Sequence, residues 1–309
     1  MISNQTLAEV QRELRRAGSV SARIAELDPE CDFLEIYRLH ALADFPWDTT
    51  RALELALFRT YCVPSIGGLL DATREFSQRG QVRYEDTSLL LTHVLEHGFQ
   101  GPGLAALRRI NQLHARFTIS NEDMLYVLST FVSVPMRWLA RYGWRPLLEA
   151  ERIAAHNYYR ELGTHMGIRD IPRTWPELVA FGDAYEREHY RYTEASARVG
   201  EATREILVGW FPRALAPVVR NAVHALLDAP VRAAFGFPAA PVAFQRGIEH
   251  ALKLRARALA KLPARTRIGA PSGEIMLRVR RADASISTLG PDGTPLPGAS
   301  EPRCPMTPR

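Results

Sequence analysis

The sequence predicts an all-α protein whose bulk is a single large helical domain. Three observations carry this. Apolar residues recur at three- and four-residue spacing along most of the chain. Capping signatures stand in front of several of these runs. No two stretches alternate convincingly as strand partners; strand-like alternation is confined to IMLRVR at 275–280. With 309 residues, 46% hydrophobic and 24% charged, the chain is ordinary for a globular protein and long enough for a sizeable core.

The elements follow in order. Asp48 or Thr49 is the expected cap of a helix carrying Leu53, Leu55, Leu57 and Phe58. VPSIGG at 63–68 predicts a break. Asp86 or Thr87 is the expected cap of the next helix, with Leu89, Leu90, Leu91, Val94 and Leu95, and Gly98 ends it. Pro102 suits the first turn of a helix running to about Phe117. Its apolar stripe is Leu107, Ile110 and Phe117, and His114 falls on the same stripe. Ser120 with Asp123 reads as a capping box. It opens a helix apolar nearly all round (Met124, Leu125, Val127, Leu128, Phe131, Val132), the pattern of a buried central helix. Pro135 is expected to kink or end it.

Further helices are predicted at about 147–165, 175–190, 193–210 and 243–261. Thr174 and Glu177 form a second capping-box pair, with Pro176 in the first turn. After residue 262 the composition shifts, and eight of the 21 prolines lie in 263–309. The division is therefore a helical domain over 1–262 and a Pro/Gly-rich, largely irregular and flexible tail over 263–309.

The net charge of +5 is spread along the chain. Nucleic acid is not expected as a partner. LKLRARALAKLPARTR at 252–267 holds six basic residues and no acidic one. It reads as a solvated face or as a peripheral membrane contact. Cys31, Cys62 and Cys304 lack CxxC spacing, which argues against a disulfide framework. The first residues show no apolar signal region. The most apolar stretch, 207–227, is interrupted by Pro212, Arg213, Pro217 and Arg220 and reads as core helices. The expected location is cytoplasmic.

Three constellations can carry chemistry. A histidine on a buried helical face needs a hydrogen-bond partner or a metal, and a backbone carbonyl is the commoner answer for His114. A rigid helical imidazole in an apolar pocket also suits haem iron, and Arg108, Arg109 and Arg116 stand beside it. HVLEH at 93–97 has the H-x-x-E-H pattern of inverted zinc proteases. His93 and His97 share a helix face, and Glu96 would be the general base of a zinc hydrolase. A histidine near helix C-terminal carbonyls also needs no metal. RYEDTS at 83–88 places Arg83 beside the expected caps Asp86 and Thr87, and capping does not account for Arg83. No phosphate loop, dinucleotide fingerprint or GxSxG elbow is present.

These residues also carry a resemblance. RYEDT at 83–87, RRINQLHARFTISNEDMLYVLSTF at 108–131, YGWRPL at 142–147 and MGIRDIP at 166–172 resemble the mpaB-type oxygenase family. That family includes the latex clearing proteins. The likeness spans roughly residues 30–235. It implies a globin-like, haem-binding helical core and haem b as cofactor, with His114 as the axial iron ligand. It implies Arg83 and Thr87 in the distal pocket. Arg83 and Arg116 are the expected cofactor contacts, since arginines near such a pocket can pair with the porphyrin propionates. The implied activity is cleavage or oxygenation of an apolar olefin, isoprenoid or fatty, by dioxygen. Where the family's Arg-x-x-Lys-Thr arrangement has lysine, this chain has Asp86. The alternatives are the zinc hydrolase on 93–97 and a non-catalytic helical protein that binds haem or lipid.

Overall fold

A computed structural model describes residues 5–269, 277–280 and 283–291. Among these residues the chain forms fourteen α-helices and no strand. In order they are α1 (Leu7–Ala17), α2 (Val20–Ile24), α3 (Phe33–Arg38), α4 (Pro46–Thr60), α5 (Pro64–Thr73), α6 (Glu75–His97) and α7 (Gly101–His114). Then come α8 (Asn121–Tyr142), α9 (Glu149–His165), α10 (Trp175–His189), α11 (Glu194–Val208), α12 (Ala216–Leu226), α13 (Ala229–Phe235) and α14 (Val242–Leu259). A π-helical stretch, Leu39–Asp44, joins α3 to the segment before α4.

α8 is central, as its pattern predicts. Ser120 caps it by accepting from the Asp123 amide. α4, α9 and α10 all pack on it, so leucines, Tyr126 and Trp138 on several faces are buried. Burying an apolar side chain is worth about 1.5–3 kcal/mol, which explains why the helix passes through Pro135 to Tyr142 rather than ending there. Elsewhere α6 packs on α7, α3 on α9, and α11 on α5 and α6.

The predicted helices at 147–165, 175–190, 193–210 and 243–261 correspond to α9, α10, α11 and α14, and the Thr174–Glu177 capping box is present. Other expectations are corrected. Asp48 and Thr49 cap nothing, because Pro46 opens α4 two residues earlier. Asp48 is buried instead, accepting from Trp138 Nε1 at 3.0 Å and pairing with Arg255. VPSIGG contains the start of a helix rather than a long break. The chain bends at 61–63, and α5 leaves at 98° to α4. Asp86 and Thr87 lie in the middle of α6, which runs on from Glu75. α7 stops at His114; Phe117 falls in the turn beyond, where its amide bonds the His114 carbonyl, and it is 38% exposed.

Residues 277–280 form no strand. The amides of Arg278, Val279 and Arg280 all donate to the fully buried Glu85 carboxylate on α6. Asp86 beside it pairs with Arg280 at 2.7 Å and accepts from the Gly290 amide at 2.9 Å. Leu289 is buried, and its carbonyl accepts from Arg109 at 2.9 Å. These two short segments therefore pack on α6 and α7, and Pro291 at the end of the second reaches the interior cavity described next. Cys304 and residues 275–276 lie outside the described residues.

Candidate active site

Eight helices, α3 to α9 and α11, line a cavity of about 730 Å³. This lies within the usual range for small-molecule sites. The periodicity of α6 builds one wall. Arg83, Thr87, Leu91 and Leu95 recur at four-residue spacing and all face inward. Ile110, Leu113 and His114 from α7 and Met124, Val127, Leu128 and Phe131 from α8 build the others. The walls are mainly apolar, with a few polar groups set among them.

His114 is the last residue of α7. Its Nδ1 is buried with no hydrogen-bond partner among the described residues. Burial, with the nearby positive charge of Arg83, pushes its pKa down to about 4. A helix C-terminus alone would favour the protonated ring, typically by about 0.3–1 kcal/mol. Desolvation outweighs that here, so the imidazole is neutral at pH 7 and its lone pair is free to bind a metal.

Arg83 is fixed by its own helix. Its Nη1 donates to Thr87 Oγ1 at 2.5 Å, and Thr87 Oγ1 donates back to the Arg83 carbonyl at 3.0 Å. Both side chains line the cavity that His114 lines. Arg116 lines it too. Arg108 is exposed, and Arg109 is turned toward Leu289. Of the residues singled out from sequence, the fold thus brings together Arg83, Thr87, His114 and Arg116. Asp86 does not line the cavity; it is held by Arg280 and Gly290. His93, Glu96 and His97 also lie off the cavity wall.

Sequence reasoning missed a second polar pole. Glu54 on α4 lines the cavity, accepting from Tyr84 Oη at 2.7 Å and pairing with Arg51 at 2.9 Å. Burial raises its pKa, partly offset by Arg51 and Tyr84. Thr49 Oγ1 is buried without a partner on the same helix and also lines the cavity. The available signal was a lone carboxylate inside the apolar run LELALF at 53–58.

Residues 55–262, about two-thirds of the chain, match the family described as ER-bound oxygenase mpaB/B′/rubber oxygenase, catalytic domain. The chain belongs to this family. The match starts and ends later than the 30–235 span read from sequence motifs. Among relatives, it is 33% identical over 141 residues to the ER-bound oxygenase mpaB of Penicillium roqueforti (strain FM164), covering 43% of this chain and 47% of that protein. It is 26% identical over 235 residues to the ER-bound oxygenase mpaB′ of Penicillium brevicompactum, covering 70% and 55%. Against the mpaB of Penicillium brevicompactum it is 32% identical over 152 residues, covering 47% and 38%. The chain spans about half the length of the curated relatives it matches.

The relatives' names correct one expectation. All three are ER-bound, which overturns the cytoplasmic location inferred from a missing signal region and missing apolar span. The absence of a signal region or spanning helix does not place a protein in the cytoplasm, since attachment to a membrane needs neither. Among the described residues no single helix is long and apolar enough to cross a membrane.

Proposed function

We propose that this protein is a haem b-dependent oxygenase that uses dioxygen to cleave or oxygenate an apolar olefinic substrate, isoprenoid or fatty. The observation that carries the reading is the unpartnered, buried Nδ1 of His114 at the wall of a large apolar cavity. A buried polar atom without a partner calls for a ligand, and a neutral imidazole is a good axial ligand for haem iron. The donor set fits the group. His114 would hold the iron, while Arg116 would meet the cofactor's carboxylates. Membership of an oxygenase catalytic-domain family supports the same reading.

When bound, the haem supplies the redox chemistry toward dioxygen. The chain's own residues do the rest. The leucines of α6, α7 and α8 exclude water and receive an apolar substrate. Thr87 holds Arg83 in one orientation, so a fixed positive charge is in place where negative charge develops. Asp86, tied outside the cavity, is no iron ligand in this reading. The exposed basic and apolar side chains of α14 would rest the protein on a membrane surface, in keeping with relatives named ER-bound.

The zinc-hydrolase alternative has a cluster, but none of His93, Glu96 and His97 lines the cavity. A non-catalytic haem or lipid binder is separated by turnover. The test is the absorption spectrum of protein expressed with haem supplied, checked by pyridine haemochrome. A strong Soret band is expected, abolished by His114→Ala and kept by His93→Ala. Arg83→Ala should keep the band and lose most oxygen-dependent turnover of an olefin. No Soret band after reconstitution with hemin, or loss of the band in His93→Ala but not His114→Ala, rejects the assignment.

A further inference from the structure

We propose that the last turn of α6 is a separate binding site for one divalent transition-metal ion, held by His93, Glu96 and His97. One ligand atom from each of the three lies within 4.8 Å of the others. The two imidazoles lie one turn apart on the same helix face, with ring centroids 5.9 Å apart.

The second observation is independent of this spacing. Both ring nitrogens of His93 are buried, and neither has a hydrogen-bond partner among the described residues. A neutral imidazole carries one donor and one acceptor, so His93 forfeits both inside the protein unless something binds it.

The ordinary explanation for histidines at a helix C-terminus is removed by Arg38. Its guanidinium already satisfies the carbonyls of Leu95 at 2.8 Å and Glu96 at 2.9 Å, and the Gly98 amide satisfies Val94. Neither His93 nor His97 bonds those carbonyls. The histidines are thus left over from capping, just as Arg83 is left over from it on the sequence.

Two imidazoles and one carboxylate suit zinc and its neighbours better than calcium or magnesium, which prefer all-oxygen sites. Three protein ligands leave the remaining position to water, and the exposed His97 gives the ion an approach from solvent. The site is off the cavity wall, so the ion would staple the α6 end of the elbow leading to α7 rather than act on substrate. This holds whether or not His114 binds haem.

The experiment is a zinc titration of the untagged, chelator-treated full chain by calorimetry, with melting temperature as a second readout. The expected result is one equivalent bound, at least tenfold weaker binding in both His97→Ala and Glu96→Gln, unchanged binding in His114→Ala, and a zinc-induced rise in melting temperature that His97→Ala lacks. His97 is exposed, so that variant folds in either case. Absence of binding, or equal affinity in the wild type and both variants, overturns the site. Loss in His97→Ala with full retention in Glu96→Gln also overturns it, reducing it to a surface histidine pair.

Discussion

At the scale of the residue, burial decides which titratable groups are usable. His114 and Glu151 are both removed from water, yet their fates differ. No described residue bonds His114 Nδ1, so desolvation prevails and the ring stays neutral. Burial would also push the Glu151 carboxyl up, but His40 at 3.1 Å and Arg145 at 2.7 and 2.8 Å hold it down at about 2. Its pKa in the unfolded chain is near 4.5. The unfolded state therefore takes up the proton first as pH falls. The stabilisation from Glu151 is complete above about pH 4.5 and is lost progressively toward pH 2. Glu151→Gln should be less stable at pH 7 by about 3–5 kcal/mol, because Arg145 keeps a buried charge without its full partner set. It should also lose less stability than the wild type between pH 4.5 and pH 3. Urea unfolding at both pH values checks this, and parallel losses in the two proteins would reject it. Of the residue-level site, His114 was visible because its stripe and its chemistry disagree. Glu54 was not, because a carboxylate in an apolar run is informative only once the cavity beside it is known.

At the scale of the element, the turn between α6 and α7 sets where His114 sits. Gly98 takes φ 69°, a left-handed value that favours glycine, and ends α6. Gly103 then passes so close that a Cβ on it would lie 1.8 Å from the Gly98 carbonyl oxygen. The offending atom is backbone, so the helices must move apart to admit it. Gly103→Ala is expected to cost about 3 kcal/mol or more and to weaken haem retention, because α7 carries His114 at its far end. Chemical denaturation and the Soret absorbance of the same preparation measure both, and wild-type stability would refute the contact. The helices with a capping box and a clean apolar stripe, such as α10, were legible from sequence. α6 was not. Its RYEDTS stretch has the composition of a cap, but Glu85 and Asp86 are polar because distant residues 278–290 donate to them. A long-range partner leaves no trace in local spacing.

At the scale of the whole molecule, charge is redistributed by folding. The 252–267 segment carries six basic residues in sequence, but Arg255 turns inward to Asp48 and stacks 4.0 Å from the Trp47 ring centroid. Arg265 donates to the carbonyls of Ala43 and Asp44. Lys253, Arg257, Lys261 and Arg267 stay exposed, together with Leu254 and Leu262 at 65% and 60%. A mixed basic and apolar surface of this kind suits an anionic membrane. At about 1 kcal/mol per basic side chain, reversing Lys253, Arg257 and Lys261 to glutamate should weaken vesicle binding by at least about a hundredfold. Co-sedimentation with vesicles containing anionic lipid tests this, and equal sedimentation of the variant would exclude α14 as the contact.

The sequence by itself determined that the chain is helical, that α8 is central, and that His114, Arg83, Thr87 and Arg116 are residues to watch. The helical conclusions rest on periodicity and capping chemistry, which act within a few residues, and the site residues rest on local motifs and the family resemblance those motifs carry. Only the tertiary structure decided that these four side chains share one cavity while Asp86 and the His93, Glu96 and His97 cluster lie off it. Which face of a helix meets a cavity, and which meets a returning segment, depends on residues far away in the chain.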